Sequence, residues 1–357
     1  MSGVLARASE AETGRSTLRQ RSAAHRDPLD FGNPFRQSPA RMAHVLAFER
    51  PVVELVTRVR ELRELASSDE RFGPELKRLE DKAAKLAREV FAKLSPMQKV
   101  QLSRHPSRPY TLNYVERLFT DFIELHGDRR FGDDPAIVAG LGRYRGRSVA
   151  IVGHQKGRTT KENMQRNFGM PNPEGYRKAV RVYELAERFG LPILTFVDTT
   201  GAFCGIGAEE RGQSQAIGEA IEVMSRVGVP IISTVIGEGG SGGALALGVA
   251  NRVLVLEFGY YSVISPEGCA AILWKSVEHT GEAAERLKIT APHLLEFGVV
   301  DGIVDEPPGG AHQDHDDAAR RLDRAIGEQL TRLSRMSPDE LREDRYQRFR
   351  RLGAFVA

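Results

Sequence analysis

Cysteine is scarce: the 357 residues contain two, Cys204 and Cys269. Two thiols build neither a disulfide framework nor a four-thiolate zinc site, and they fit a reducing, cytoplasmic setting. No metal is expected of this chain. Long apolar runs are missing as well. The best stretch, roughly 244–264, is interrupted by Asn251, Arg252 and Glu257, so no membrane span is expected. The N-terminus lacks the apolar segment of a secretory signal. Net charge is small, at +3, and its place matters more than its size. Residues 1–44 carry seven Arg, no Lys and four acids, while the remainder holds 44 basic and 44 acidic residues. A neutral body argues against a dedicated nucleic-acid binder, whose domain would be basic.

What is present reads as a globular chain, 41% hydrophobic and 28% charged. Residues 1–44 mix Arg, Ser, Ala and Pro without periodicity and read as a disordered tail. Residues 45–110 read as a helical hairpin arm. Val52, Leu55, Val56, Val59 and Leu62 repeat at steps of three and four, Ser67 to Pro74 breaks the pattern, and Leu76, Leu79, Ala83, Leu86 and Val90 resume it as a narrow seam. Residues 111–308 alternate strands and helices and form the expected core. Strands are expected at Ala136–Gly142, Ser148–Gly153, Leu191–Asp198 and Val229–Ile236, and helices at Pro173 to Gly190 and Ala216–Arg226. Residues 309–357 are a C-terminal helical segment, helical from Ala318 to Arg350. Gly190-Leu191-Pro192-Ile193-Leu194 recurs thirty-eight residues later as Gly228-Val229-Pro230-Ile231-Ile232, and each copy runs into a glycine-rich loop. Buried runs alternating with helices predict an α/β fold with parallel strands covered on both faces. The two loops then leave the sheet on one side, where such sheets bind ligands.

Three mechanisms compete for the second loop, Gly237-Glu238-Gly239-Gly240-Ser241-Gly242-Gly243. Gly237, Gly239 and Gly242 satisfy G-x-G-x-x-G, with Glu257 twenty residues beyond Gly237, as a dinucleotide-binding turn would. Gly239, Ser241 and Gly243 satisfy G-x-S-x-G, the pattern of a nucleophile elbow, which needs a histidine from among His279, His293, His312 and His315. The third mechanism uses no side chain: the Gly242 and Gly243 amides donate to a developing oxyanion. Close helix–strand packing alone also demands small residues here. In the first loop, Asp198 ends a strand and satisfies turn amides, while Glu209, Glu210 and Arg211 start a helix and pair. Lys156, Arg158, Lys161, Arg166, Arg177 and Lys178 form a basic group, read either as a solvated face or as attraction of an anionic ligand, with Lys156, Arg158 and Arg177 as the candidates. Ser265-Pro266-Glu267 reads as a helix start.

Several runs, in this order, resemble one family. They are Gly153-His154-Gln155-Lys156-Gly157-Arg158, Asn167-Phe168-Gly169-Met170-Pro171, Pro173 to Ala179, Gly207 to Gln213, the second glycine loop, and Ser262 to Ala270. Together they resemble the carboxyltransferase α subunit of bacterial acetyl-CoA carboxylase, over roughly residues 45–350. The resemblance implies a crotonase/ClpP-like ββα spiral with an N-terminal helical hairpin and C-terminal helices. It implies an α₂β₂ carboxyltransferase heterotetramer within an ATP-dependent complex, working with biotin carboxylase and the biotin carboxyl carrier protein in fatty acid synthesis. The cofactor would be biotin, attached to the carrier and not to this chain. The substrate would be acetyl-CoA and the product malonyl-CoA. The family's β subunit usually carries a four-Cys zinc ribbon, which two cysteines cannot supply. By resemblance, Gly242 and Gly243 are the oxyanion-hole glycines near the biotin carbonyl. Gly201, Ala202, Gly205, Gly207, Gly239, Gly240 and Ser241 line the biotin side.

One departure lies beside that site. The family's first loop usually reads Asp-Thr-Pro-Gly-Ala-Tyr-Pro-Gly, and this chain reads Asp198-Thr199-Thr200-Gly201-Ala202-Phe203-Cys204-Gly205. Losing two prolines frees φ and restores two amides, so a more adjustable loop is expected. Neutral drift, altered acyl or partner preference, and escape from an inhibitor all fit this change. Two other functions remain open at this stage. One is an acyl-CoA hydratase or decarboxylase using Glu238 or Glu267 as the acid, and the other is a non-catalytic assembly paralogue.

Overall fold

The computed structural model describes residues 44–66 and 69–353. The Arg-rich tail, apart from His44, lies outside the described residues.

Chain order follows the hydrophobic periods closely. Helices α1 (Arg50–Ala66) and α2 (Gly73–Ala92) come first, then α3 (Pro96–Ser103) and α4 (Thr111–Leu118). Strands β1 (Phe119–Glu124), β2 (Ile137–Tyr144) and β3 (Arg147–His154) follow, then α5 (Thr160–Gln165) and α6 (Pro173–Phe189). Next are β4 (Ile193–Thr199), α7 (Ile206–Glu210), α8 (Gln213–Arg226), β5 (Ile231–Gly240), α9 (Ser241–Leu245), β6 (Arg252–Leu256) and β7 (Tyr260–Ser262). The chain continues with α10 (Pro266–Leu273), α11 (Thr280–Leu287), α12 (Ala291–Glu296), β8 (Gly302–Val304), α13 (His315–Leu333) and α14 (Pro338–Arg350).

The eight strands make one sheet in the order β1-β2-β3-β4-β5-β6-β8, with β7 added alongside the end of β5. β1, β2 and β3 pair antiparallel, and every pairing from β3 onward is parallel. Alternation of side chains divides the core between two faces. Ile193, Val197, Ile231 and Val235 face the buried stripe Tyr176, Ala179, Tyr183 and Ala186 of α6. Leu194, Phe196, Ile232 and Ile236 face Tyr114 of α4 and Leu322, Ile326 and Leu330 of α13. The sequence echo becomes a register: Ile193 pairs with Ile231 and Leu194 with Ile232.

Two details differ from the periodicity. The residues fully buried from α2 are Ala83, Ala87 and Phe91, while Leu76, Leu79, Leu86 and Val90 are half-buried. Phe91 reaches Phe258 of the sheet region, at 5.8 Å between ring centroids, and this turns the helix from the expected seam. The C-terminal run is two helices, because Ser337 caps α14 and Glu340 closes a capping box on it.

Candidate functional site

β4 and β5 are parallel neighbours, so the two glycine loops leave the sheet side by side. Their backbones approach so closely that only glycine fits. A Cβ on Gly240 would lie 2.1 Å from the Thr200 carbonyl oxygen, and one on Gly243 would lie 2.5 Å from the Ala202 nitrogen. Ser241 takes φ +54°, an unusual value for a non-glycine residue, and this turns the chain sharply from β5 into α9. The first amides of a helix have no acceptor within it, so those of Ser241, Gly242 and Gly243 face away from α9. Gly201, at φ +154°, is held by the Thr199 hydroxyl, which accepts its N–H at 3.1 Å and donates to its carbonyl at 2.7 Å.

Beneath these loops lies a chain of opposite charges. Lys156 Nζ is 2.7 Å from Asp198 Oδ1 and 2.7 Å from Glu238 Oε2. On its other side Glu238 receives Arg104 Nε at 2.7 Å and the Tyr260 hydroxyl at 3.0 Å. Arg104 also donates to Glu267 Oε1, at 2.6 Å. Burial alone would push the Glu238 carboxyl upward, but Lys156 and Arg104 outweigh it and hold it below the usual carboxylate range. Glu267 is likewise raised by burial and lowered more by Arg104. Burial works against the Lys156 charge, yet Asp198 and Glu238 raise its pKa above that of an ordinary lysine. His154, buried behind the loops, is pushed down to about 3 by burial and then by Lys156, so it is neutral.

The expected site residues divide accordingly. Gly201, Ala202, Gly239, Gly240, Ser241, Gly242 and Gly243 come together where the two loops meet. Gly205 and Gly207 lie further along the first loop, where the Phe203 ring covers Gly205 and Cys204 is exposed. The basic candidates already have partners within the chain. Lys156 is consumed by two carboxylates. Arg177 donates to the Arg211 carbonyl and lies 3.8 Å from Glu174 and 4.0 Å from Asp128. Arg158 stacks 3.8 Å from the Tyr110 ring centroid and donates to Asn113 and Pro106. Charge composition cannot reveal these partners, because most of them are distant in sequence. Arg104 and Tyr260 escaped the sequence reading for the same reason.

The rival loop mechanisms also lose their geometry. Gly237 and Gly239 lie inside β5 rather than in a turn opening a helix, so no dinucleotide-binding turn forms. Ser241 sits on a sharp strand–helix turn, but the four candidate bases are engaged elsewhere. His279, His293, His312 and His315 bond to Glu282, Thr290, Glu49 and Ser107. Ser265 accepts the Gly268 amide and caps α10, as its sequence suggests. Among the described residues, Glu49, His105 and His312 bring metal-type donor atoms within 4.8 Å of one another. His105 spends both ring nitrogens on hydrogen bonds, donating from Nε2 to the His44 carbonyl at 2.6 Å and accepting the Ser107 amide at Nδ1. That chemistry is a clasp joining the segment before α1 to the end of α3 and to the segment before α13.

An apolar cavity of about 520 Å³ opens beside Ser241 and Gly242. Leu245, Tyr261, Leu294, Phe297 and Phe349 help to line it. Its size falls within the range of small-molecule sites.

Residues 45–353 match the family model for acetyl co-enzyme A carboxylase carboxyltransferase-like proteins. The chain belongs to this family. It is 70% identical over 314 residues to the acetyl-coenzyme A carboxylase carboxyl transferase subunit alpha of Sorangium cellulosum, covering 88% of this chain and 99% of that one. Identity to the corresponding subunit of Thermus thermophilus is 57% over 312 residues, covering 87% and 99%. Among solved structures, the transcarboxylase 12S hexamer with methylmalonyl-coenzyme A and methylmalonic acid bound superposes with a TM-score of 0.52. Its identity is 21%, over 64% of this chain and 42% of that one. That likeness concerns the fold alone, and it is the crotonase-like α/β fold that the family resemblance implies. As a member of the acetyl-CoA carboxylase carboxyltransferase family, the protein is a transferase of carboxyl groups. Among its described residues no helix is long and apolar enough to cross a membrane.

Proposed function

We propose that this chain is the biotin-side half of a cytoplasmic acetyl-CoA carboxyltransferase, working as α₂β₂ with a β subunit. It moves the carboxyl group from the biotin of a carrier protein to acetyl-CoA, giving malonyl-CoA. In this reading residues 45–110 are an arm, 111–308 the catalytic core and 309–357 a C-terminal brace. The observation that carries the proposal is the pair of loops packed backbone to backbone at Gly240 and Gly243, with Ser241 and Gly242 lining an apolar cavity.

These features suit biotin: the cavity offers apolar walls to its ring and aliphatic arm, and the amides offer donors to its carbonyl. When bound, biotin supplies the carried carboxyl group and a ureido oxygen on which negative charge grows during transfer. The chain's own contribution is preorganisation. The Gly242 and Gly243 amides are fixed before charge develops, so they stabilise it without rearranging. Gly240 and Gly243 let the loops close to van der Waals contact, which fixes the aim of those amides. The apolar walls of the cavity lower the local dielectric and thereby strengthen the same dipoles.

A hydratase or decarboxylase would need a carboxylic acid ready to give a proton. Glu238 and Glu267 are held ionised by Arg104 and Lys156, so the arrangement favours carboxyl transfer. The decisive assay is biotin-dependent carboxyl exchange with malonyl-CoA, run on the protein assembled with a β subunit. Exchange is expected in the parent, and Gly242→Pro or Gly243→Pro should abolish it while assembly persists. Intact exchange in both variants would remove the amides from the mechanism.

A further inference from the structure

Lys156 follows β3 by two residues, and its stem packs under the Asn167–Gly169 turn, where a Cβ on Gly169 would lie 2.7 Å from Lys156 Cγ. Its ammonium therefore has a fixed reach. The two carboxylates it joins are placed alike: Asp198 directly precedes Thr199-Thr200-Gly201, and Glu238 directly precedes Gly239-Gly240. The strand pairing is irregular at this level. Val197 pairs with Val235, but Thr199 pairs with Gly239, so β5 has gained two residues on β4. Ladder bonds are interrupted where the loops begin. Asp198 fills the gap, because its Oδ1 accepts the Glu238 amide at 3.0 Å as well as the Lys156 ammonium.

We propose that Lys156 is a positioning residue for carboxyl transfer: through Asp198 and Glu238 it sets the separation of the two glycine loops, and with it the aim of the Gly242 and Gly243 amides. The inference rests on the oxyanion role of those amides. Without the ammonium, two buried carboxylates would face each other across the strand irregularity. Their repulsion acts along the line that separates the loops. Donors that stabilise an oxyanion must stand 2.7–3.1 Å from it, and losing one typically costs ~10²–10³ in rate. Arg104 supports Glu238 from its outer side, but its side-chain hydrogen bonds among the described residues go to Glu238, Glu267 and Tyr260 and not to β4, so it does not bridge the two strands as Lys156 does.

The test uses the complex assembled with its β subunit and two variants. Lys156→Met removes the tie and leaves unbalanced charge. Lys156→Met combined with Asp198→Asn removes the tie but restores the balance, so it separates positioning from folding. In Lys156→Met, kcat for carboxyl exchange is expected to fall ~10²-fold while KM for the CoA substrate changes less than about threefold. The charge-balanced variant should regain the parental thermal midpoint, yet keep kcat at least about tenfold below the parent. Parental kcat in Lys156→Met would overturn the proposal. So would recovery of kcat together with thermal stability in the charge-balanced variant, since the lysine would then serve folding alone. If Lys156→Met does not fold, the charge-balanced variant decides. A parent complex without exchange activity would defeat the functional reading instead.

Discussion

A methyl group at Gly243 has no room. It would stand 2.5 Å from the Ala202 nitrogen and 2.7 Å from the Tyr176 hydroxyl, whereas at Gly242 the nearest atom is Ile217 Cγ2 at 3.7 Å. The two neighbouring glycines therefore differ, although each offers one amide. Gly243→Ala must push the loops apart, and a displacement near 1 Å in a preorganised site costs on the order of 10²-fold in rate. We expect that loss in kcat for carboxyl exchange from Gly243→Ala, with Gly242→Ala losing much less. Equal effects of the two would contradict the close-packing account. The sequence alone treats both glycines as equivalent donors. What distinguishes them is Ala202, which lies in the other loop. Lys156 and Arg177 show the same limit. Their charge is legible from the chain, but whether a carboxylate already satisfies it depends on contacts made across the fold.

At the scale of elements, legibility follows the source of each element's stability. α6 and the central strands are bound by apolar stripes, so their period discloses them within a few residues. α14 is different. Its sequence is dominated by charged residues, yet Arg345 is buried. The Arg345 guanidinium donates to the carbonyls of Met224, Val227 and Val229 at 2.7–2.9 Å, and to Asn251 Oδ1 at 2.9 Å. These carbonyls close α8 and open the path to β5, so one side chain satisfies a helix end that the chain itself leaves open. Such a role has no periodic signature, which is why the sequence presented one long helix without showing what pins it. Arg345→Lys replaces a planar fork by a point donor. Each buried acceptor left without a donor costs ~1–3 kcal/mol, so a loss of roughly 2–4 kcal/mol is expected in denaturant unfolding. An unchanged unfolding midpoint would show that α14 is held by other contacts.

For the whole molecule, the near-zero charge of the body conceals groups that can titrate only if the fold opens. His154 is completely buried, and its pKa is pushed down to about 3 by burial and by Lys156. In the unfolded chain an imidazole titrates near 6.5. Between those values the unfolded state binds a proton that the folded state refuses, so stability falls as pH drops from about 6.5 toward 3. The slope for one such group is ~1.4 kcal/mol per pH unit. His105, pushed down to about 4 by burial and by His312, acts in the same direction, although the raised Glu49 carboxyl beside it takes back part of the effect. Asp133, lowered to about 2, adds its loss only below the ordinary range of an aspartate. Thermal midpoints of the parent should therefore decline steadily from pH 6.5 to 4. His154→Gln cannot take up that proton in either state, so its curve should be shallower by about one proton's worth of slope. Parallel curves for the two proteins would assign the acid sensitivity to other groups and leave His154 as a neutral filler behind the loops.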